Sequence, residues 1–476
     1  MMRKLTTKEK ALKVNLDASE YGSFAEIGGG QEVAANFFKA GGASGTVAKT
    51  MSAYDMEFSN AIYGKCKRYV SKERLNTMIT HEYELLIERL KAREEDTRFF
   101  ALADTLECLN YKKTNQGHGW MGLRFQLHPM SEPNDCIIHV VMKDNDTYRQ
   151  QAQMGIVGVN LIYGCFNYFA NPEHLLNSLI DNVSPGSIEI DMFQLSGPDF
   201  EDIDNRLLAL KMVKNGLSKV AMFGPDGQVI QPSNALYKKN ILMLRGRFRP
   251  ATLVHMDMLA KGKKQYLAQD GVDEDDTLTL AELTLSSLSK EGVIDEQDFL
   301  DRAEILCSMG LTVLISNYEE YYKLVSYLTR FTRSKLMGII LGMDNVSKIF
   351  DEQYYTSLKG GILEAFGILF GRNVKLFIYP QLNKEENKLT TSKDLELSDK
   401  LTPLYQYLVS IGKIEDMKEY NEDVLPINSD EVLKMIQLGK TGWDMMVPQI
   451  AQDKIKTKGL FYYPVQKTKE SEFYGN

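Results

Sequence analysis

The chain has 476 residues, 43% hydrophobic and 25% charged, a length that asks for more than one core and a composition with ample apolar material to build them. Its net charge of −8 provides no global positive field of the kind that draws a protein onto nucleic acid or an anionic bilayer, so neither is expected as a partner. No stretch reaches the roughly 18 apolar residues of a membrane span, the basic opening MMRKLTTKEKALKVNLD lacks an apolar centre, and Cys66, Cys108, Cys136, Cys165 and Cys307 include no CxxC pair; a cytoplasmic protein is expected.

Residues 21–27 read as a short apolar strand, Gly28, Gly29 and Gly30 break it, and residues 31–39 carry a helical period. Backbone N–H groups at a strand–turn–helix junction of this kind hold a phosphate or a carboxylate. The following GGASGTVAKT adds Ser44, Thr46, Lys49 and Thr50, three hydroxyls and an ammonium to complete an anion cradle. The turn has neither GxGxxG nor GK[ST] spacing, and Glu26 just before it would repel a phosphate unless it faced a ribose, a metal or solvent. The plainer alternatives are a tight turn with close packing and a flexible loop with a helix cap.

Residues 71–95 predict an amphipathic helix whose core face holds Leu75, Met78, Ile79, Leu85, Leu86 and Leu90. A strand at 98–102 is followed by a β-hairpin, 120–127 and 136–142, around a turn at 129–134. His118, His128 and His139 fall in this region, where alternation can bring two together, either as hydrogen-bonded structural histidines or as metal ligands. Residues 147–183 read as helical, with Gly155, Gly158 and Gly164 permitting close helix packing.

Residues 187–195, 219–223 and 241–248 read as strands and 204–215 as a helix. The run IDMFQLSGPDFEDIDNR gathers Asp191, Ser196, Gly197, Asp199, Asp204 and Asn205, which fits a divalent cation at a strand end or a turn with an N-cap. In LRGRFRP, an extended backbone would put Arg245, Arg247 and Arg249 on one side. Anions between the guanidinium groups, an acidic helix or a neighbouring subunit would each relieve their repulsion.

A βαβαβ unit follows: strands at 312–316, 336–341 and 374–379, helices at 318–331 and 347–370, with near-continuous apolar strands that imply a parallel sheet covered on both faces. Such sheets bind ligands at the carboxyl ends of their strands. Asn317, Tyr318, Asp344, Asn345 and Tyr379 stand there, and Asp344 and Asn345 would equally cap the next helix.

The expected fold class is therefore α/β, a largely parallel sheet flanked by helices, with an N-terminal mixed α/β part containing a β-hairpin. Three parts are expected, at 1–145, 146–268 and 277–476, with polar stretches 269–276 and 383–398 as linkers and a helical end with a polar tail. The leading function is binding of a nucleotide or other phosphorylated small molecule by a transferase-type protein, with ATP and Mg2+ as candidate cofactors. Its anion contacts would be Gly28, Gly29, Gly30, Ser44, Thr46, Lys49, Arg245, Arg247 and Arg249, with Asp191, Asn317 and Asp344 as polar candidates at strand ends. The alternative is a non-catalytic homo-oligomer that self-associates into a ring, stack or filament. No catalytic residue and no resident metal site follow from the sequence.

The runs YGSFAEIGGGQEVAANFFKAGGASGTVAKTMSAYDM, SGPDFEDIDNRL, LTVLISNYEEYYKL and GGILEAFGILF resemble, over nearly the whole chain, a bacterial family whose members carry the name nicotinate-nucleotide adenylyltransferase or, in some cases, TonB-dependent receptor. The second name implies an outer-membrane barrel behind an export signal, and neither is expected here. The first implies a Rossmann-type nucleotidyltransferase with HxGH and ISSTxxR motifs. Here the first turn is EIGGGQ, GHG stands only at 117–119, and Ile315, Ser316 and Asn317 continue without the matching Thr and Arg.

Overall fold

The computed structural model describes residues 3–464 apart from 291, 372 and 384–387. Part of the 383–398 stretch and the polar tail therefore lie outside the described residues. The chain divides into two compact units, Met1–Ala221 and Met222–Asn476. Elements of the expected central part, 146–268, contribute to both.

The first unit is a mixed six-stranded sheet in the order β2-β1-β3-β4-β5-β6, formed by β1 (Glu20–Gly28), β2 (Val47–Met51), β3 (Arg98–Glu107), β4 (His118–Phe125), β5 (Asn134–Met142) and β6 (Ile188–Ser196). β1 runs parallel to β2 and β3, and β3 to β6 form an antiparallel meander containing the expected hairpin. Around it lie α1 (Thr7–Asn15), α2 (Glu32–Ala40), α3 (Met56–Tyr63), α4 (Lys72–Arg89), α5 (Thr147–Asn167), α6 (Pro172–Ser178) and α7 (Asn205–Lys214). Phe24 packs on Phe37 and Phe100 at 5.3 and 5.7 Å, and Phe166 of α5 reaches Phe100 and Phe125. These rings join β1, α2, β3, β4 and α5, each buried ring contributing about 2 kcal/mol of apolar transfer. The α5 glycines serve the close packing expected of them: a Cβ on Gly155 or Gly158 would come within 2.7 Å of Glu32 or 2.3 Å of Val33.

The second unit is built on an eight-stranded sheet entered through β7 (Val220–Phe223), which hairpins with β8 (Val229–Ile230). After α8 (Pro232–Leu236) come β9 (Asn240–Arg245), α9 (Leu253–Leu267), β10 (Thr277–Thr284) and α10 (Leu285–Leu288). β11 (Ser289–Lys290) and β12 (Val293–Ile294) make a small ribbon before α11 (Glu296–Ser308), β13 (Thr312–Ser316), α12 (Tyr321–Thr332), β14 (Met337–Gly342), α13 (Met343–Ile349), α14 (Gly361–Phe370) and β15 (Val374–Tyr379). A second ribbon, β16 (Gln381–Asn383) with β17 (Lys388–Thr390), precedes α15 (Thr402–Ser410) and β18 (Ile414–Asp416).

The strand order is β18-β15-β14-β9-β10-β13-β7-β8. From β18 to β13 every neighbouring pair is parallel. Counted from β9, this segment has the order 6-5-4-1-2-3: the chain builds outward on one side of β9, crosses back, and builds outward on the other. That is the doubly wound arrangement, and its carboxyl-end crevice opens where the direction of winding reverses, between β9 and β14. The central strands are buried along most of their length, β13 along all five residues, as expected of a parallel sheet covered on both faces; α12 is itself buried through Tyr321, Tyr322, Leu324, Val325 and Leu328. Among the described residues, no helix is long and apolar enough to cross a membrane.

Candidate functional site

The crevice at the winding reversal is a real cavity, about 640 Å³, lined from four strand ends: Arg245 and Arg247 after β9, Thr284, Ser286 and Ser287 after β10, Glu319, Glu320 and Tyr321 after β13, and Asp344, Asn345 and Lys348 after β14. Its size lies within the range of small-molecule sites. The floor is a buried charge pair. Glu282 is fully buried in β10, opposite Arg245 in the parallel register. Arg245 donates from Nε and one terminal nitrogen to both Glu282 oxygens at 2.6 and 2.9 Å, and its remaining N–H groups reach the Glu319 and Tyr318 carbonyls. Ser316 Oγ donates to the same carboxylate at 2.6 Å, and the Tyr321 ring stacks on the guanidinium, 4.1 Å from its centroid. The buried Tyr321 hydroxyl lacks a hydrogen-bond partner of good geometry among the described residues.

Reachable positive charge sits above this floor. Arg247 is 61% exposed and pairs with Asp430 at 2.7 Å, and Lys348 is exposed on α13. α13 begins without a side-chain cap, so Asp344 and Asn345 do not cap it and instead line the cavity with Ser286 and Ser287.

The three arginines do not share one side. β9 ends at Arg245, and Phe248 adopts φ 47°, so alternation stops. Each guanidinium takes its own carboxylate: Arg245 takes Glu282, Arg247 takes Asp430, and Arg249 takes Asp298 at 2.5 Å beside Arg302. Arg245 and Arg247 line the cavity, and Arg249 is not among its lining residues. Asn317 is exposed just past β13 and also outside the lining.

In the first unit, the glycine turn has the expected strand–turn–helix form, but its groups do not converge on an anion. The Glu26 side chain turns back so that Oε1 accepts from the Val33 and Ala34 amides at 3.0 and 3.4 Å, placing the protein's own carboxylate at the α2 N-terminus. Gly29 and Gly30 lie against Cys108 Sγ and the Asp104 carboxylate, where a Cβ would clash at 2.2 and 2.0 Å. Lys49 lies on β2, a strand the sequence reading took for loop, and pairs with buried Glu82 at 2.5 Å. Thr46 Oγ1 donates to the Val14 carbonyl, and Ser44 is exposed in a short turn.

Glu26 and Asp104 stand side by side in the β1–β3 register. Burial pushes the Glu26 carboxyl up to about 7 against its two amide bonds. Burial and the Glu26 charge hold Asp104 well above the usual carboxylate range. Groups raised in the folded state stabilise fully below the unfolded value of 4.5 and lose that contribution as pH climbs through about 7. Glu26→Gln keeps the acceptor and cannot ionise. It should therefore gain on the wild type by about 2 kcal/mol between about pH 4.5 and 8, read from urea unfolding at each pH.

The acidic run after β6 is dispersed rather than gathered at one cation. Asp204 caps α7, Asn205 bonds the Leu195 backbone, Asp199 accepts from Asn134, and Asp191 faces inward from β6. Among the described residues, no group of three His, Cys, Asp or Glu is placed to hold a metal ion. Asp191 Oδ1 instead meets His139 Nδ1 at 2.5 Å, and His139 Nε2 meets His118 Nδ1 at 3.0 Å. Alternation thus joins His118 to His139, while His128 is exposed beyond the end of β4. Trp120 packs on the His139 ring at 4.8 Å. Burial, then the neighbouring imidazole, pushes His118 down to about 4.

No protein-family model matches this chain, and no curated protein matches it. Solved structures share parts of its backbone. A competence/damage-inducible protein from Agrobacterium tumefaciens aligns at 16% identity over 34% of this chain and 97% of its own, with a TM-score of 0.23. A competence-damaged (CinA) superfamily protein from Klebsiella pneumoniae aligns at 14% over 34% and 99%, TM-score 0.26. A Vibrio parahaemolyticus protein given the name nicotinate-nucleotide adenylyltransferase aligns at 14% over 48% and 98%, TM-score 0.26. At such identities and scores these likenesses assign this chain neither a family nor an activity.

Proposed function

We propose that the second unit binds a nucleotide or a related phosphorylated small molecule in the crevice at the carboxyl ends of β9, β10, β13 and β14. The observation that carries this reading is the cavity's position: it opens at the winding reversal of a doubly wound parallel sheet, the place where such sheets hold ligands. The chemistry agrees with the place. Arg247 and Lys348 supply charge for phosphate oxygens, Ser286 and Ser287 supply hydroxyl donors, and Asp344 suits a ribose hydroxyl or a phosphate-bound Mg2+. Arg245 serves as the support of the floor, since Glu282 already neutralises it.

Nucleotidyl transfer is the finer form of the proposal, and ATP with Mg2+ and nicotinate mononucleotide are its first probes. Saturation at a hundred times the dissociation constant should stabilise the protein by about 2.7 kcal/mol, a visible shift in a thermal melt. The shift should vanish in Arg247→Ala and Lys348→Ala and persist in Lys49→Ala, whose partner is Glu82. A Lys49-dependent shift would relocate the site to the first unit. No shift with any nucleotide or phosphate would favour the self-associating homo-oligomer, which light scattering measures directly.

A further inference from the structure

We infer that Asp191, His139 and His118 form an acid–base site in the first unit, acting on a water molecule held between His118 Nε2 and Glu107. The site is independent of the crevice and uses none of its residues.

The three side chains form a line from the core toward solvent. Asp191 and His139 are almost wholly buried, while the His118 side chain is 27% exposed. A buried carboxylate fixes hydrogen positions along such a line. With Asp191 ionised, His139 Nδ1–H donates to Oδ1, so His139 Nε2 is an acceptor. His118 must then donate its own Nδ1–H to that nitrogen, which leaves His118 Nε2 with an unshared pair pointing outward. Glu107 Oε2 lies 4.0 Å from that nitrogen, a separation at which one water molecule can donate a hydrogen to each of the two acceptors. The remaining charge acting on His118 is Arg68.

The proton bookkeeping closes within these groups. When Nε2 takes a proton from the bridging water, that O–H bond breaks with its electron pair left on oxygen, and an N–H bond forms. The Nδ1 proton of His118 passes to His139 Nε2. The positive charge comes to rest on the imidazolium beside Asp191, and the oxygen becomes a nucleophile. The reverse sequence returns the proton to a leaving group. His118 touches the substrate. His139 and Asp191 are positioning residues.

The tautomer chain makes a sharp test. Asp191→Asn presents an amide N–H to His139 Nδ1, which reverses both rings and places a proton on His118 Nε2. Diethyl pyrocarbonate acylates only the unprotonated nitrogen, so rates read for each of the six histidines by peptide mass spectrometry report the tautomer without any substrate. At about pH 7.5 His118 should react in the wild type and slow by at least about tenfold in Asp191→Asn. Equal rates in the wild type and Asp191→Asn, or an unreactive wild-type His118 beside a reactive His128, would overturn the site. Should Asp191→Asn fail to fold, nitrogen NMR of the histidine-labelled wild type decides: a bare Nε2 on His118 supports the site, and a protonated one overturns it.

Discussion

Glu282→Ala should cost about 4 kcal/mol of stability, because it strands a buried guanidinium instead of merely removing a contact. Arg245 has only 11% of its side chain exposed. Without the carboxylate it keeps the carbonyls of Tyr318 and Glu319, the Tyr321 ring and the charge of Glu320, none of which replaces a two-pronged carboxylate partner. Ser316 Oγ loses its acceptor in the same step. Glu282→Gln, which keeps an acceptor at similar volume, should cost about half as much. The double variant Arg245→Met/Glu282→Leu should recover most of the loss, since replacing a buried pair together by apolar groups is nearly neutral. Urea unfolding of the wild type, Arg245→Met, Glu282→Leu and the double variant closes the cycle, and additive losses would show that Arg245 does not depend on Glu282.

Gly28→Ala is the second large effect, with an expected loss of about 3 kcal/mol. Gly28 has φ 82°, and a Cβ there would stand 1.9 Å from the Leu106 carbonyl oxygen, a backbone atom fixed by the parallel β1–β3 register. Gly41 separates the two costs. Its φ is 89° with nothing near the missing Cβ, so Gly41→Ala should lose only about 1 kcal/mol for the left-handed backbone. Thermal melts of both variants test the difference. Equal losses would mean that the backbone conformation, rather than the approach of β3, dictates glycine at 28.

The α/β class, the hairpin and the C-terminal βαβαβ unit were legible because each rests on local signals, apolar runs and turn residues. The order of strands was not, since it depends on pairings between segments far apart in sequence. One local error mattered more. No strand is predicted over TLTLAELT, where β10 lies, and without it Glu282, the residue that settles where Arg245 points, gives no signal. Lys348 and Ser286 gave no signal of their own, being ordinary polar residues until the sheet order brings their loops together. At Gly28, Gly29 and Gly30 the strand–turn–helix form was legible, and the position of the Glu26 side chain was not. An acidic residue two positions before such a turn can fold back onto the helix amides, and Glu26 does so. His118 and His139 were separable from His128 only through the hairpin register, which fixes which alternating positions meet.

The placement of Trp120 against His139 has an optical consequence. The chain has two tryptophans, one in each unit, Trp120 and Trp443. An imidazolium quenches a neighbouring indole more strongly than a neutral ring does, so in a Trp443→Phe background the emission intensity becomes a direct, label-free gauge of the charge on His139. The first unit thus carries its own fluorescent reporter of the surroundings of His139.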